Sequence, residues 1–135
     1  MLKKKLIITL LVSFVSVFVT DMIIHQHLLG ELYRQNAHLW RTEMEMGQHL
    51  HFMLLGQILV AICFAFIFTK GYEKKGLAEG ARYGALMAAF TTGGLLINHA
   101  VLPYPLALTM AWVVTTFIQN ILVGILIAYT YKKIK

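Results

Sequence analysis

Cysteine is almost absent from this chain: Cys63 stands alone inside an apolar run. A single cysteine closes no intramolecular disulfide, so disulfide-exchange chemistry and cysteine-based zinc sites are excluded. Charge is scarce too. Charged residues make up 13% of the chain, about half of the roughly 25% found in an ordinary soluble domain. Acids are the rarer sign, with 6 Asp and Glu against 12 Lys and Arg. Neither a glycine-rich phosphate loop nor an HExxH pair is present, which argues against nucleotide hydrolysis and the common zinc-hydrolase chemistry. The net charge of +6 invites a nucleic-acid reading. That reading fails, because the basic residues sit at the ends of apolar segments and not on a polar face.

What fills the chain is apolar sequence. Hydrophobic residues reach 59% of 135, and the mean hydropathy is +0.69. This composition predicts one integral membrane domain. Four apolar segments, at about 6–29, 49–70, 78–101 and 106–131, are each long enough to span a bilayer, for which about 20 residues suffice. The expected fold is therefore all-α, a four-transmembrane-helix bundle. The first segment follows Lys3, Lys4 and Lys5 in the manner of a signal peptide. No Ala-x-Ala-like site comes after it, so it reads as an uncleaved first span.

Between the first two spans, residues 30–47 are polar and carry Tyr33 and Trp40, residue types that favour the membrane–water interface. A short amphipathic surface helix is expected there. The two prolines, Pro103 and Pro105, fall together between the last two spans. Each disfavours helix in the residue before it, so Leu102 and Tyr104 should be extended in a tight hairpin. Ten of the twelve basic residues fall on one side of the four spans, against Arg34 and Arg41 on the other. By the positive-inside rule, both termini are cytoplasmic.

The chemistry gathers at the opposite side. Residues 21–53 hold His25, His27, His38, His49 and His51, together with Asp21, Glu31, Glu43 and Glu45. His99, preceded by Asn98, joins them from the end of the third span. Asp21 lies roughly 22 Å along a helix crossing a core of about 30 Å. An acid at that depth costs about 2–3 kcal/mol at worst and should face a partner. Asp21 and His25 are four residues apart, hence on one helix face. The expected arrangement is an intramembrane polar cluster of Asp21, His25, Asn98 and His99. A sharper alternative is a metal site drawing on His25, His49, His99, Asp21 and Glu45, with copper, zinc or haem iron as the ion. The HxH pairs weaken it, because alternate residues on a helix point to different faces. Gln119 and Asn120 in the fourth span should hydrogen-bond across helices. Gly80, Gly84 and Ala88 form a small-xxx-small ladder, which in lipid permits close helix packing. The ladder serves either the bundle or a dimer face.

Several short runs carry a likeness. Asp-x-x-Ile-His opens at Asp21, Leu-Trp-Arg-x-Glu-Met spans 39–44 and Phe-Thr-Lys-Gly-Tyr-Glu spans 68–73. Leu-Ala-Glu-Gly-Ala-Arg-Tyr-Gly follows at 77–84 and Val-Leu-Pro-Tyr-Pro-Leu at 101–106. Over nearly its whole length the chain resembles small bacterial four-span membrane proteins of the domain-of-unknown-function 1761 group. That resemblance implies a multi-pass protein of the bacterial cytoplasmic (inner) membrane and implies no activity. Three functions stay open on sequence: a non-enzymatic accessory module, packing with itself as a homo-oligomer or with a larger membrane complex; a small dimeric proton-coupled transporter or channel using Asp21; and a metal- or haem-binding subunit.

Overall fold

The computed structural model describes residues 2–134, and among them every regular element is helical. Helix α1 spans Leu2–Met22 and runs straight into a π-helical turn, Ile23–Leu28. Two short helices follow, α2 at Gly30–Gln35 and α3 at Glu43–Gln48, with a 3₁₀ turn at Ala37–Leu39 between them. Three long helices complete the chain: α4 at Leu50–Lys70, α5 at Leu77–Val101 and α6 at Leu106–Lys133. By length and composition, four helices are able to cross a membrane: Lys4–Leu28, Leu50–Lys70, Leu77–Val101 and Leu106–Lys133.

The helices alternate in direction, so the bundle has a lysine-rich end and a histidine-rich end. In the bundle α1 packs between α4 and α6, and α6 packs between α1 and α5. The closest pairing is α5 on α6, and its cause is glycine. Gly80 and Gly84 are buried against Gly124 and Asn120 of α6, with the Ala128 methyl beside Gly80. A Cβ on Gly84 would fall inside the Asn120 carbonyl, and one on Gly124 would fall inside the Gly80 carbonyl. Backbones approach this closely only where there is no side chain to hold them apart. Ala88, fully buried, continues the seam. The ladder on α5 is thus used within the chain.

Aromatic packing closes the lysine-rich end. Phe64 and Phe68 of α4 are buried with Val17, Val123 and Ile127. Tyr83 of α5 stacks edge-on against Phe64, with ring centroids 4.8 Å apart. Its hydroxyl donates to the Phe64 carbonyl at 2.6 Å, tying α5 to α4. The connecting loop is held by Glu79, which is buried. Its two carboxylate oxygens accept from the backbone N–H groups of Glu73 (2.6 Å) and Lys75 (2.7 Å). Gly76 makes this fold-back feasible with φ +75° and ψ −150°, a conformation essentially restricted to glycine.

Residues 30–47 form two short helices and not one amphipathic helix. Asn36 breaks the first, its side chain donating back to the Leu32 carbonyl at 2.8 Å. Thr42 starts the second with a reciprocal capping box: its hydroxyl accepts from the Glu45 N–H, and the Glu45 carboxylate accepts from the Thr42 N–H. Such an arrangement satisfies donors that a helix start otherwise leaves open. The turn after α5 is extended at Leu102 (φ −107°, ψ 145°).

Candidate functional site at the histidine-rich end

Asp21, the last acid before the π-helical turn, faces the bundle. Its Oδ2 accepts from the Gln57 side-chain amide of α4 at 3.0 Å. Its Oδ1 accepts from the Gln119 amide of α6 at 2.6 Å. The same Gln119 nitrogen also donates to the Thr20 hydroxyl at 2.8 Å. One carboxylate thereby gathers three of the four long helices. Among the described residues the ion pairs are Arg34 with Glu31 and Lys75 with Glu73. Both donors to Asp21 are neutral, so its charge has hydrogen bonds but no cationic partner.

His25 goes elsewhere, and the π turn is the reason. In this turn hydrogen bonds run five residues back, as from the Leu29 N–H to the Ile24 carbonyl at 2.8 Å. Each turn is wider than an α-turn, so the four-residue spacing no longer sets His25 above Asp21. His25 Nδ1 lies 2.5 Å from the Tyr33 hydroxyl, and that hydroxyl accepts from Trp112 Nε1 at 2.8 Å. With the Trp112 N–H supplied to the phenol oxygen, the phenol proton is free to be donated to His25 Nδ1. That leaves the second imidazole nitrogen, Nε2, as the N–H. Burial raises the Tyr33 phenol above its ordinary value. The Trp112 hydrogen bond opposes that rise, and the Asp21 charge adds to it.

Tyr33 and three further aromatic rings pack together. Trp40 sits edge-on to Tyr33 at 5.4 Å, and Tyr104 sits edge-on to Trp112 at 5.3 Å. Trp40 and Tyr104 stack at 6.1 Å. The Trp40 indole N–H donates to the Tyr33 carbonyl at 3.2 Å. These rings come from α2, the residue that ends the 3₁₀ turn, the proline hairpin and α6, so distant parts of the chain build one lid. Tyr104 and Trp112 also wall an open pocket of about 310 Å³, together with His25, Asn98, Thr115 and Gln119 and the apolar Ile24 and Leu95. Asp21 is one hydrogen bond behind this wall, through Gln119.

The expected cluster of Asp21, His25, Asn98 and His99 is not joined by hydrogen bonds, although His25 and Asn98 line one pocket. Asp21 binds the two glutamines, and His25 binds Tyr33. His99 Nδ1 lies 3.1 Å from the hydroxyl of Thr109, which is fully buried at the start of α6. Asn98 lines the cavity. The wider set for copper, zinc or haem iron is not gathered either. Among the described residues, no three His, Cys, Asp or Glu side chains come together as a metal site. Glu45 is engaged in the capping box, where the Thr42 N–H and hydroxyl hold its carboxyl below the ordinary range. His49 Nδ1 bonds to the Glu45 carbonyl at 2.8 Å. His38 and His51 are exposed.

Sequence reasoning missed Gln57 and Trp112 as site residues. Gln57 is a single polar residue in a span that is otherwise uncharged between His51 and Thr69, and an intramembrane amide seeks a partner. That signal was present. Nothing local identified Trp112, which reaches Tyr33 across 79 positions. No family model, curated protein or solved structure is matched by the chain.

Proposed function

We propose that this chain is a small, non-enzymatic, multi-pass protein of a bacterial cytoplasmic membrane, and that it carries protons coupled to a small solute through its histidine-rich end. Both termini are cytoplasmic in this reading, supported by the ten-to-two distribution of basic residues. The histidine-rich end and its chamber then face outward. The observation that carries the reading is Asp21: an ionisable side chain inside a span, directed into the bundle, one hydrogen bond behind a partly polar pocket. Ionisable residues at such depth are costly, and they mark proton and substrate pathways in membrane proteins. The carboxamide of Gln57, bonded only to Asp21, can turn to offer nitrogen or oxygen, so it suits either form of the carboxyl.

The test is proton movement into liposomes containing the purified protein under an imposed pH gradient. The expected result is a flux above protein-free vesicles that Asp21→Asn abolishes. Flux that survives Asp21→Asn overturns the reading.

One observation favours a second reading. Both oxygens of Asp21 already have donors within the chain, which is also how a purely architectural acid would be held. In that case the protein is an accessory module that packs with itself or with a larger membrane complex. A stable homo-oligomer or a co-purifying partner in mild detergent, with no proton flux, selects this alternative.

A further inference from the structure

On the side of α6 and the proline hairpin, the chamber at the histidine-rich end is lined by acceptor oxygens and aromatic rings, while His25 and Asn98 add groups that can donate. Gln119 donates through its nitrogen to Thr20 and Asp21. Thr20 donates its own proton to the Ser16 carbonyl at 2.7 Å, so both groups on that side are acceptors. The orientation of the Gln119 amide is thereby fixed, and its carbonyl oxygen is left to accept. The Thr115 hydroxyl donates to the Ala111 carbonyl at 2.8 Å, so its oxygen is left to accept. Trp112 and Tyr104 add electron-rich rings. Behind Gln119 sits the carboxylate of Asp21, with two amide donors and, among the described residues, no cation. No lysine or arginine lines the chamber. Acceptor oxygens, aromatic faces and an uncompensated negative charge together describe a site for a positive ligand. A cation over an aromatic face is attracted by the ring's electrons, most strongly when water is excluded. The volume of about 310 Å³ is at the small end of ligand pockets.

We propose that this chamber binds a small organic ammonium ion, with Asp21 as the counter-charge acting through Gln119 and with Trp112 and Tyr104 as its aromatic walls. The proposal rests on the transport reading and names its solute. No covalent step is involved.

The experiment uses the full chain in mild detergent, titrated with ethylammonium and tetramethylammonium chloride and followed by calorimetry. Sodium chloride at equal ionic strength and tert-butanol, a neutral molecule close in size to tetramethylammonium, are the comparators. Saturable binding of an alkylammonium is expected, with sodium and tert-butanol inert. Asp21→Asn should weaken it about tenfold, equivalent to about 1.4 kcal/mol, and Tyr104→Leu several-fold. If Asp21→Asn does not fold, Tyr104→Leu carries the test, since its ring packs in the lid without breaking the Asp21 hydrogen bonds. Equal heats from tert-butanol, or alkylammonium affinity unchanged in the folded variants, overturn the proposal. Liposome flux separates the two levels. Asp21-dependent proton flux without alkylammonium binding leaves the transport reading standing and removes this ligand. Alkylammonium binding without any flux keeps the site and removes transport.

Discussion

The two ends of this bundle are built from different materials. At the lysine-rich end, Gly80, Gly84 and Gly124 bring two backbones into contact, and Phe64, Phe68 and Tyr83 fill what remains. At the histidine-rich end there is an open pocket of about 310 Å³, and side-chain hydrogen bonds made by Asp21, His25 and Tyr33 join the elements beside it. In lipid no hydrophobic force draws apolar helices together, so close van der Waals contact must hold them. The glycine seam supplies that contact at one end. The other end is thereby free to keep a polar space. The difference separates the part that holds the fold from the part available for a ligand.

The largest loss is expected at the glycine seam. Gly84→Leu puts a side chain where the Asn120 carbonyl stands. Backbone cannot yield as a flexible side chain does, so the destabilisation should exceed about 4 kcal/mol, the range reserved for severe core damage. Thermal unfolding in detergent should show little or no folded protein. A Gly84→Leu protein that melts near the wild type would mean that α5 and α6 can separate without loss, and the seam would not be the anchor.

A milder break lies in the loop at the same end. Glu79→Ala removes the acceptor for two backbone N–H groups. Leaving a buried donor unsatisfied costs about 1–3 kcal/mol, and hydrogen bonds to a charged acceptor are at the strong end. Water near the loop offsets part of this, so about 2 kcal/mol is expected, read as a lower melting temperature. Alkylammonium binding at the far end should not change. If binding falls together with stability, the two ends are not independent.

The same contrast explains what could be read from sequence. Helix number, helix type and the proline hairpin follow from local signals: apolar length, and the restriction each proline imposes on the residue before it. The ladder of Gly80, Gly84 and Ala88 was visible as spacing, though its partner was not, because Gly124 and Ala128 lie in another helix. The polar site was legible in content and not in pairing. Asp21 and His25 suggested one face under α-helical winding, and the π turn at Ile23–Leu28 cancelled it. No residue type announces a π turn. Which imidazole, amide or indole then meets which acceptor is decided by the packing of α1 between α4 and α6, a property of the whole chain.

The smallest expected effect concerns Tyr33, whose proton reports on the lid. Burial is the main cause of its raised pKa, and the hydrogen bond from Trp112 works against it. A raised value in the folded state means that the neutral phenol contributes stability below the unfolded value, about 10. That contribution fades as pH climbs through the higher folded value. Alkali should therefore loosen the histidine-rich end only above the ordinary tyrosine range. Two substitutions should move the ionisation in opposite directions. Trp112→Phe removes the stabilising N–H and pushes it higher; Tyr104→Leu opens the lid to water and brings it lower. Ultraviolet difference titration at the tyrosinate band, with Tyr33→Phe as the blank, isolates this one phenol from the others. A Tyr33 that titrates at the ordinary value, and is moved by neither substitution, would mean the lid is wet. The aromatic walls would then offer a cation little more than bulk water does, and the contrast between a closed end and a built chamber would reduce to a contrast between a closed end and an open one.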